Sequence, residues 1–223
     1  MIDMNIASNI AKIKASIPAG VELVAVSKTK PASMIEEAYE AGQRVFGENR
    51  AQELAEKHQL LPKDIEWHMI GHMQSNKVKY IAEFVELIHS VDSLKLLREI
   101  NHRAAQHGRV IGCLLQFHIA QESTKFGYDL EEAHELLNSE EFQSMENVQI
   151  QGVMGMATFT DNAEQVRSEF KTLSQIFNDL KGAHFADAEH FETISMGMSG
   201  DYALAIEEGS NMVRIGSTIF GSR

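Results

Sequence analysis

The residue with the most chemistry in this sequence is a lysine at the end of an apolar strand. Lys28 follows the β-type run Glu22-Leu23-Val24-Ala25-Val26-Ser27 and precedes Thr29-Lys30-Pro31 and a helical pattern. An ammonium carried inward at a buried strand end loses its water. Burial favours the neutral amine, the form that condenses with an aldehyde. For the segment alone, the alternative is a lysine that snorkels to solvent. Two glycine-rich stretches near the other end of the chain reverse that balance. They are Met196-Gly197-Met198-Ser199-Gly200-Asp201 and Gly216-Ser217-Thr218. Ser199 is suited to cap a short helix while its neighbours present N–H groups to an anion. Gly216 lets the backbone approach closely, and Ser217 and Thr218 bring hydroxyl donors. Each stretch alone also reads as an ordinary capped turn. Asp201 would compete with a bound anion unless it turns away.

The elements that position these residues alternate. An amphipathic helix over residues 2–17 places Ile6, Ile10, Ile13 and Ile17 on one face. The first strand covers about 22–27, and its helix stops at Gly42. Strand patterns follow at 44–47, 67–71, 87–91, 110–119, 148–156, 193–196 and 212–215. Helical patterns lie between them at 49–60, 75–84, 93–106, 129–138 with a further turn near Phe142, 162–180 and 200–208. Strand-then-helix, repeated about eight times, is the pattern of a (β/α)8 TIM barrel with an extra N-terminal helix. Continuous Val/Ile/Leu strands fit a parallel sheet covered on both faces. An open doubly wound sheet is the alternative, but no Gly-x-Gly-x-x-Gly follows the first strand. No linker or low-complexity tract divides the chain, so residues 1–223 are expected to form a single domain.

At 223 residues and 43% hydrophobic, the chain is long enough to bury one sizeable core. No run approaches the about 18 apolar residues of a membrane helix, and no secretory signal pattern opens the sequence. The lone cysteine, Cys113, sits in an apolar run, which excludes an internal disulfide framework and suggests a buried, inert thiol. A cytoplasmic protein is expected. A formal net charge of −12 argues against a general nucleic-acid or anionic-membrane surface, so any anion needs local donors.

In a barrel, function sits where strands end and helices begin, and phosphate is often held by the loops after the last two strands. An amine at one strand end and a phosphate cradle at others suit pyridoxal 5′-phosphate, an aldehyde with a phosphate anchor. Five segments carry a resemblance that supports this. They are Val26-Ser27-Lys28-Thr29-Lys30-Pro31, Phe46-Gly47-Glu48-Asn49, Trp67 through Lys77, Ser195-Met196-Gly197-Met198-Ser199, and Val213 through Gly221. In order and over nearly the whole chain, they resemble the pyridoxal phosphate homeostasis protein family, related to the N-terminal barrel of alanine racemase. The resemblance implies an internal Schiff base on Lys28. It further implies phosphate binding by Ser199, Gly200, Gly216 and Ser217, with Arg214 facing the pyridine nitrogen and Asn49 and His72 lining the pocket near the ring. Arg50 and Met73 depart from common family patterns, which have tyrosine and leucine there; the role of Arg50 is left open.

The expected function is pyridoxal phosphate homeostasis by a carrier or buffer with little or no catalysis. A guanidinium does not readily give up its proton, so Arg214 would leave the ring nitrogen unprotonated and a poor electron sink. The alternative for Arg214 is a barrel-lining cation paired with a carboxylate such as Glu48. Racemisation needs acid–base groups on both faces of a planar intermediate. In the racemase the opposite tyrosine comes from an added domain; this sequence ends two residues after Gly221, and such a domain is expected to be lacking. Expected partners are pyridoxal phosphate and its recipients, PLP-dependent apoenzymes or free amino acids. A PLP-dependent racemase or related amino-acid-modifying enzyme is the main alternative. A barrel binding another phosphorylated metabolite, with Lys28 as a charge clamp, is a third. His184-x-x-Asp187-x-x-His190 has the look of a ligand cluster but fits a solvated connection, so no metal is expected. His68 and His89 lie within strands and read as core or barrel-layer residues, while Met154, Met156, Met196 and Met198 read as gap-fillers around the barrel mouth.

Overall fold

The computed structural model describes residues 5–121 and 126–221. It opens with α1 (Ile6–Ser16), which Asn5 caps by accepting a hydrogen bond from the Ser8 N–H at 2.7 Å. Residues 2–4, assigned above to the start of this helix, lie outside the described residues. Ile6, Ile10 and Ile13 form the buried stripe of α1 that the spacing predicts. Then follow β1 (Glu22–Val26), α2 (Ala32–Glu40), β2 (Val45–Glu48), α3 (Ala51–Leu60) and β3 (Glu66–Met69). A 3₁₀ helix, Ser75–Tyr80, stands where an α-helix over 75–84 was expected. The chain continues with β4 (Leu87–Val91), α4 (Leu94–Gln106), β5 (Ile111–Phe117), α5 (Leu130–Asn138) and α6 (Glu140–Gln143). It closes with β6 (Val148–Gly155), α7 (Ala163–His184), β7 (Thr193–Ser195), α8 (Tyr202–Glu207), β8 (Met212–Ile215) and α9 (Ser217–Phe220). The sequence had placed α9 in a loop; four residues are too few to carry a helical period.

The eight strands pair in parallel, each with the next, and β8 pairs with β1 to close the barrel. This is the (β/α)8 barrel the alternation predicts, with α1 packed against α2 and α9. Because side chains alternate along a strand, each strand feeds two different cores. Outward residues such as Phe46, Trp67, Ile88, Cys113 and Ile215 join the main apolar core between barrel and helices. Cys113 is fully buried there, and burial pushes its thiol pKa up, as an inert thiol requires. Within the barrel, Leu87, Leu114 and Met154 form a separate small cluster with Met212 against it. Barrel interiors are ordinarily filled by bulky branched side chains. Here part of the interior is polar: His68, His89, Ser195 and Arg214 are all buried. Among the described residues, no helix is long and apolar enough to cross a membrane.

Candidate functional site

The ends of β1 and β8 lie side by side, and Gly216 is what lets them meet. A Cβ on Gly216 would sit 3.1 Å from the Val26 carbonyl oxygen, tighter than side chains ordinarily tolerate. The bare glycine brings the turn after β8 against the turn after β1. The result is a pocket of about 100 Å³ lined by Val26, Lys28, Thr29, Lys30, Gly216, Ser217 and Gly221. Lys28, half-buried, and the exposed Ser217 thus share one pocket at the C-terminal rim. The Ser199 hydroxyl accepts a hydrogen bond from the Gly216 N–H at 3.3 Å, which ties the turn after β7 to the turn after β8.

Ser199 and the exposed Gly200 reach this rim because the chain reverses at Gly197. Gly197 has φ +93°, and a Cβ there would come within 2.6 Å of the Ala205 Cβ on α8. Asp201 is turned into its own loop, where its Oδ1 accepts from the Met198 N–H at 2.6 Å. Burial raises its pKa, opposed by the Met198 bond and by Arg214. The carboxylate is therefore occupied within the turn.

The residues on either side of Lys28 are pinned by a buried network the sequence did not reveal. Ser27 donates from its hydroxyl to Glu48 Oε1 at 2.6 Å. Lys57, on α3, donates to Glu48 Oε1 and Glu53 Oε1, each at 2.7 Å, and to the Ser27 carbonyl at 2.9 Å. Glu53 Oε1 also accepts from the Thr29 N–H at 2.6 Å. Thr29 needs that hold, since it has φ +64°, a conformation that costs a β-branched residue about 1–3 kcal/mol. Burial raises the Glu48 pKa, with the bonds from Lys57 and Ser27 opposing it. Burial also acts to raise Glu53, but the bonds from Lys57 and Thr29 bring it below the usual carboxylate range. The pairing considered above between Arg214 and Glu48 is not formed. Glu48 faces outward with Phe46 toward α3, while Arg214 faces into the barrel.

Arg214 is 4% exposed, and it donates to Ser195 Oγ at 2.7 Å and to the Gly155 carbonyl at 3.2 Å. Burial lowers its pKa to about 10, which leaves it charged at neutral pH. Ser195 Oγ lies 3.0 Å from His89 Nδ1, and His89 Nε2 lies 3.0 Å from His68 Nδ1. β4 and β7 are not neighbours, so the His89–Ser195 contact crosses the barrel interior. Burial lowers the His68 pKa to about 3 and that of His89 well below the ordinary value, with His68 and Arg214 adding to the latter. Both imidazoles are neutral, the core histidines the sequence suggests.

This has a stability consequence. Unfolded histidine titrates near 6.5, so below that pH the unfolded chain takes up protons that the folded chain refuses. The stabilisation is complete above about pH 6.5 and falls by up to about 1.4 kcal/mol per pH unit for each histidine as pH drops toward 3. Denaturant melts between pH 7 and 5 should follow that slope. His68→Gln should flatten it by about one histidine's share; an unchanged slope would mean that His68 is charged or exposed when folded.

The other expected site residues are placed less tightly. Asn49 follows β2 with its Oδ1 buried and, among the described residues, without a hydrogen-bond partner. His72 is exposed, its Nδ1 3.2 Å from Asp92 Oδ2 and its ring 4.9 Å from that of Phe126. It lines a groove with Asp92 and Met73 rather than the pocket of Lys28. Arg50 is exposed at the N-terminal cap of α3. Met154 and Met196 are buried as expected of gap-fillers, whereas Met156 and Met198 are exposed at the rim. In the stretch read above as a ligand-like cluster, His184 Nε2 lies 2.7 Å from His134 Nδ1, and His134 Nε2 contacts Asp179 at 2.9 Å.

The sequence matches the alanine racemase N-terminal domain family over residues 3–223. A pyridoxal phosphate homeostasis protein of Aquifex aeolicus is 40% identical over 203 residues, covering 91% of this chain and 87% of the relative. One of Escherichia coli is 36% identical over 236 residues, covering 98% and 97%. Among solved structures, PipY of Synechococcus elongatus is 35% identical and covers 97% of this chain and 100% of its own. It superposes with TM-score 0.90 without PLP and 0.88 with PLP bound. An alanine racemase of Clostridium difficile, 16% identical at TM-score 0.79 over 98% of this chain and 60% of its own, shares the fold. The chain belongs to the alanine racemase N-terminal domain family and, within it, to the pyridoxal phosphate homeostasis proteins.

Proposed function

We propose that residues 1–223 act as one cytoplasmic unit that binds pyridoxal 5′-phosphate and serves in its homeostasis, as a carrier or buffer rather than a catalyst. The observation that carries this reading is the single pocket lined by Lys28, Gly216 and Ser217. Its donor set suits the compound: an amine for the aldehyde, and backbone N–H and hydroxyl groups for the phosphate. Asn49 Oδ1, without a partner among the described residues, leaves an acceptor for a donor on the ligand. The printed names of the relatives and the PLP-bound PipY structure support the same assignment.

In this reading Lys28 Nζ bonds to the aldehyde carbon, and the carbonyl oxygen leaves as water. Ser199, Gly200, Gly216 and Ser217 hold the phosphate, with Asp201 kept back by the Met198 N–H. Asn49 lines the ring side, while His72 stands in the groove with Asp92 and Met73. The bound compound supplies an electron-withdrawing ring, whose strength depends on the protonation of its nitrogen. Arg214 faces that nitrogen as a donor and leaves it unprotonated, which weakens carbanion stabilisation and favours holding over turnover. The recipients are PLP-dependent apoenzymes or free amino acids.

The test is retention. The purified chain should turn yellow with added pyridoxal phosphate and keep the colour through dialysis. Ser199→Ala with Ser217→Ala should shed it faster while shifting the unfolding free energy by no more than about 0.5 kcal/mol per site. Equal retention would remove the cradle, and a chain that never turns yellow would remove the function.

One observation favours an enzymatic alternative. Asp92 orients the His72 imidazole, whose Nε2, without a partner among the described residues, is placed for acid–base work. Sustained racemisation of optically pure alanine by the loaded protein, lost in His72→Gln, would establish that reading over the carrier.

A further inference from the structure

The polar chain through the barrel has a direction, set by Arg214. A guanidinium only donates, so Ser195 Oγ must accept at the 2.7 Å contact. Oγ keeps a second lone pair, but among the bonds of the described residues only a bare His89 Nδ1, 3.0 Å away, gives the one serine proton an acceptor, so the fully satisfied arrangement leaves that ring nitrogen bare. Neutral His89 therefore carries its proton on Nε2 and donates to His68 Nδ1 at 3.0 Å. His68 in turn carries its proton on Nε2. His68 also lines a pocket of about 350 Å³ at the opposite end of the barrel, with Glu22, Glu66, Glu86 and Glu192 on its walls. From Arg214 to His68 each link pairs one donor with one acceptor, and every dipole has its negative end toward the buried cation.

We propose that Ser195, His89 and His68 are positioning residues that form a one-way hydrogen-bond chain, holding Arg214 charged and aimed at the C-terminal rim as a donor. The chain rests on the reading in which Arg214 meets the ring nitrogen of bound pyridoxal phosphate. Apolar side chains would fill this space more cheaply, since buried polar groups are tolerated only when satisfied. A guanidinium with no acceptor behind it would be free to swing toward other carbonyls, and a buried charge without oriented dipoles would be harder to keep. The chain removes both alternatives and has no part in bonding the aldehyde.

The direct test is nitrogen NMR of the protein carrying ¹⁵N-histidine and no pyridoxal phosphate. At neutral pH His89 and His68 should both be the Nε2–H tautomer. A His89 protonated on Nδ1, or on both nitrogens, would overturn the proposal. In the loaded protein, Ser195→Ala removes one charge-assisted hydrogen bond, so loss of pyridoxal phosphate on dialysis should quicken about tenfold. The absorption band of the lysine-bound compound should shift as well. Ser195→Thr, which keeps the hydroxyl, should restore both. Unchanged band and retention in Ser195→Ala would contradict the positioning role. If Ser195→Ala does not fold, the tautomers of the unaltered chain still decide. Failure to find pyridoxal on Lys28 would end the cofactor reading while leaving the tautomer result intact, so the two failures are distinguishable.

Discussion

Lys28→Ala eliminates the absorption band of the lysine-bound compound that the unaltered chain acquires with pyridoxal phosphate. The reason is positional. The pocket under the turns after β1 and β8 contains two lysines, Lys28 and Lys30, and the Lys30 amine donates to the Gly221 carbonyl at 3.1 Å. Lys28 is the amine whose neighbours on both sides are anchored: Ser27 through its hydroxyl to Glu48, and Thr29 through its N–H to Glu53. The phosphate donors at Gly216, Ser217 and Ser199 are untouched by this substitution, so the variant should still bind pyridoxal phosphate reversibly, without the band of the lysine-bound compound. Displacement of that weak binding by inorganic phosphate would register it. Persistence of the lysine-bound band in Lys28→Ala would move the covalent bond to another lysine, Lys30 first.

Lys57→Met should be the most destabilising single substitution near the site, by about 3–5 kcal/mol. Lys57 and Glu48 are both buried, and the lysine bonds Glu48, Glu53 and the Ser27 carbonyl together. Removing it strands a buried carboxylate that already has one oxygen, Oε2, without a hydrogen-bond partner among the described residues. The same substitution loosens Ser27 and Thr29, so loss of pyridoxal phosphate should accelerate as well. Adding Glu48→Leu should recover much of the stability, because replacing a buried pair by apolar groups is often neutral. Equilibrium denaturation of the single and double variants measures both effects. A loss below about 1 kcal/mol in Lys57→Met would mean that Glu48 is protonated or reaches water in the folded chain.

Most of the barrel was legible because its signals are local. Continuous apolar strands, separated by helices with one apolar face, pointed to parallel pairing and closure. The strand ends then located Lys28, Ser199, Gly216 and Ser217 without coordinates. The relations that failed to appear were those between elements. Lys57 sits in the polar helical pattern over 49–60, where no single position signals a buried cation, although its spacing from Glu53 is that of an i, i+4 pair. The suggested partnership of Arg214 with Glu48 overlooked strand parity, since Phe46 points outward into the main core and Glu48, two residues on, shares its face. Ser195 and His89 meet across the barrel, a contact that no sequence separation encodes. His72 lies beyond the end of β3, where alternation stops and direction is no longer readable; it turned to Asp92.

The most direct test is a peptide map of the protein loaded with pyridoxal phosphate and reduced with borohydride. Trypsin does not cut at a modified Lys28, and Pro31 protects Lys30, so both lysines fall on one peptide spanning residues 15–44. Fragmentation between Ser27 and Thr29 then assigns the label. A pyridoxyl group on Lys28 is the expected result. A label on Lys30, on a peptide outside this stretch, or on none would contradict the account.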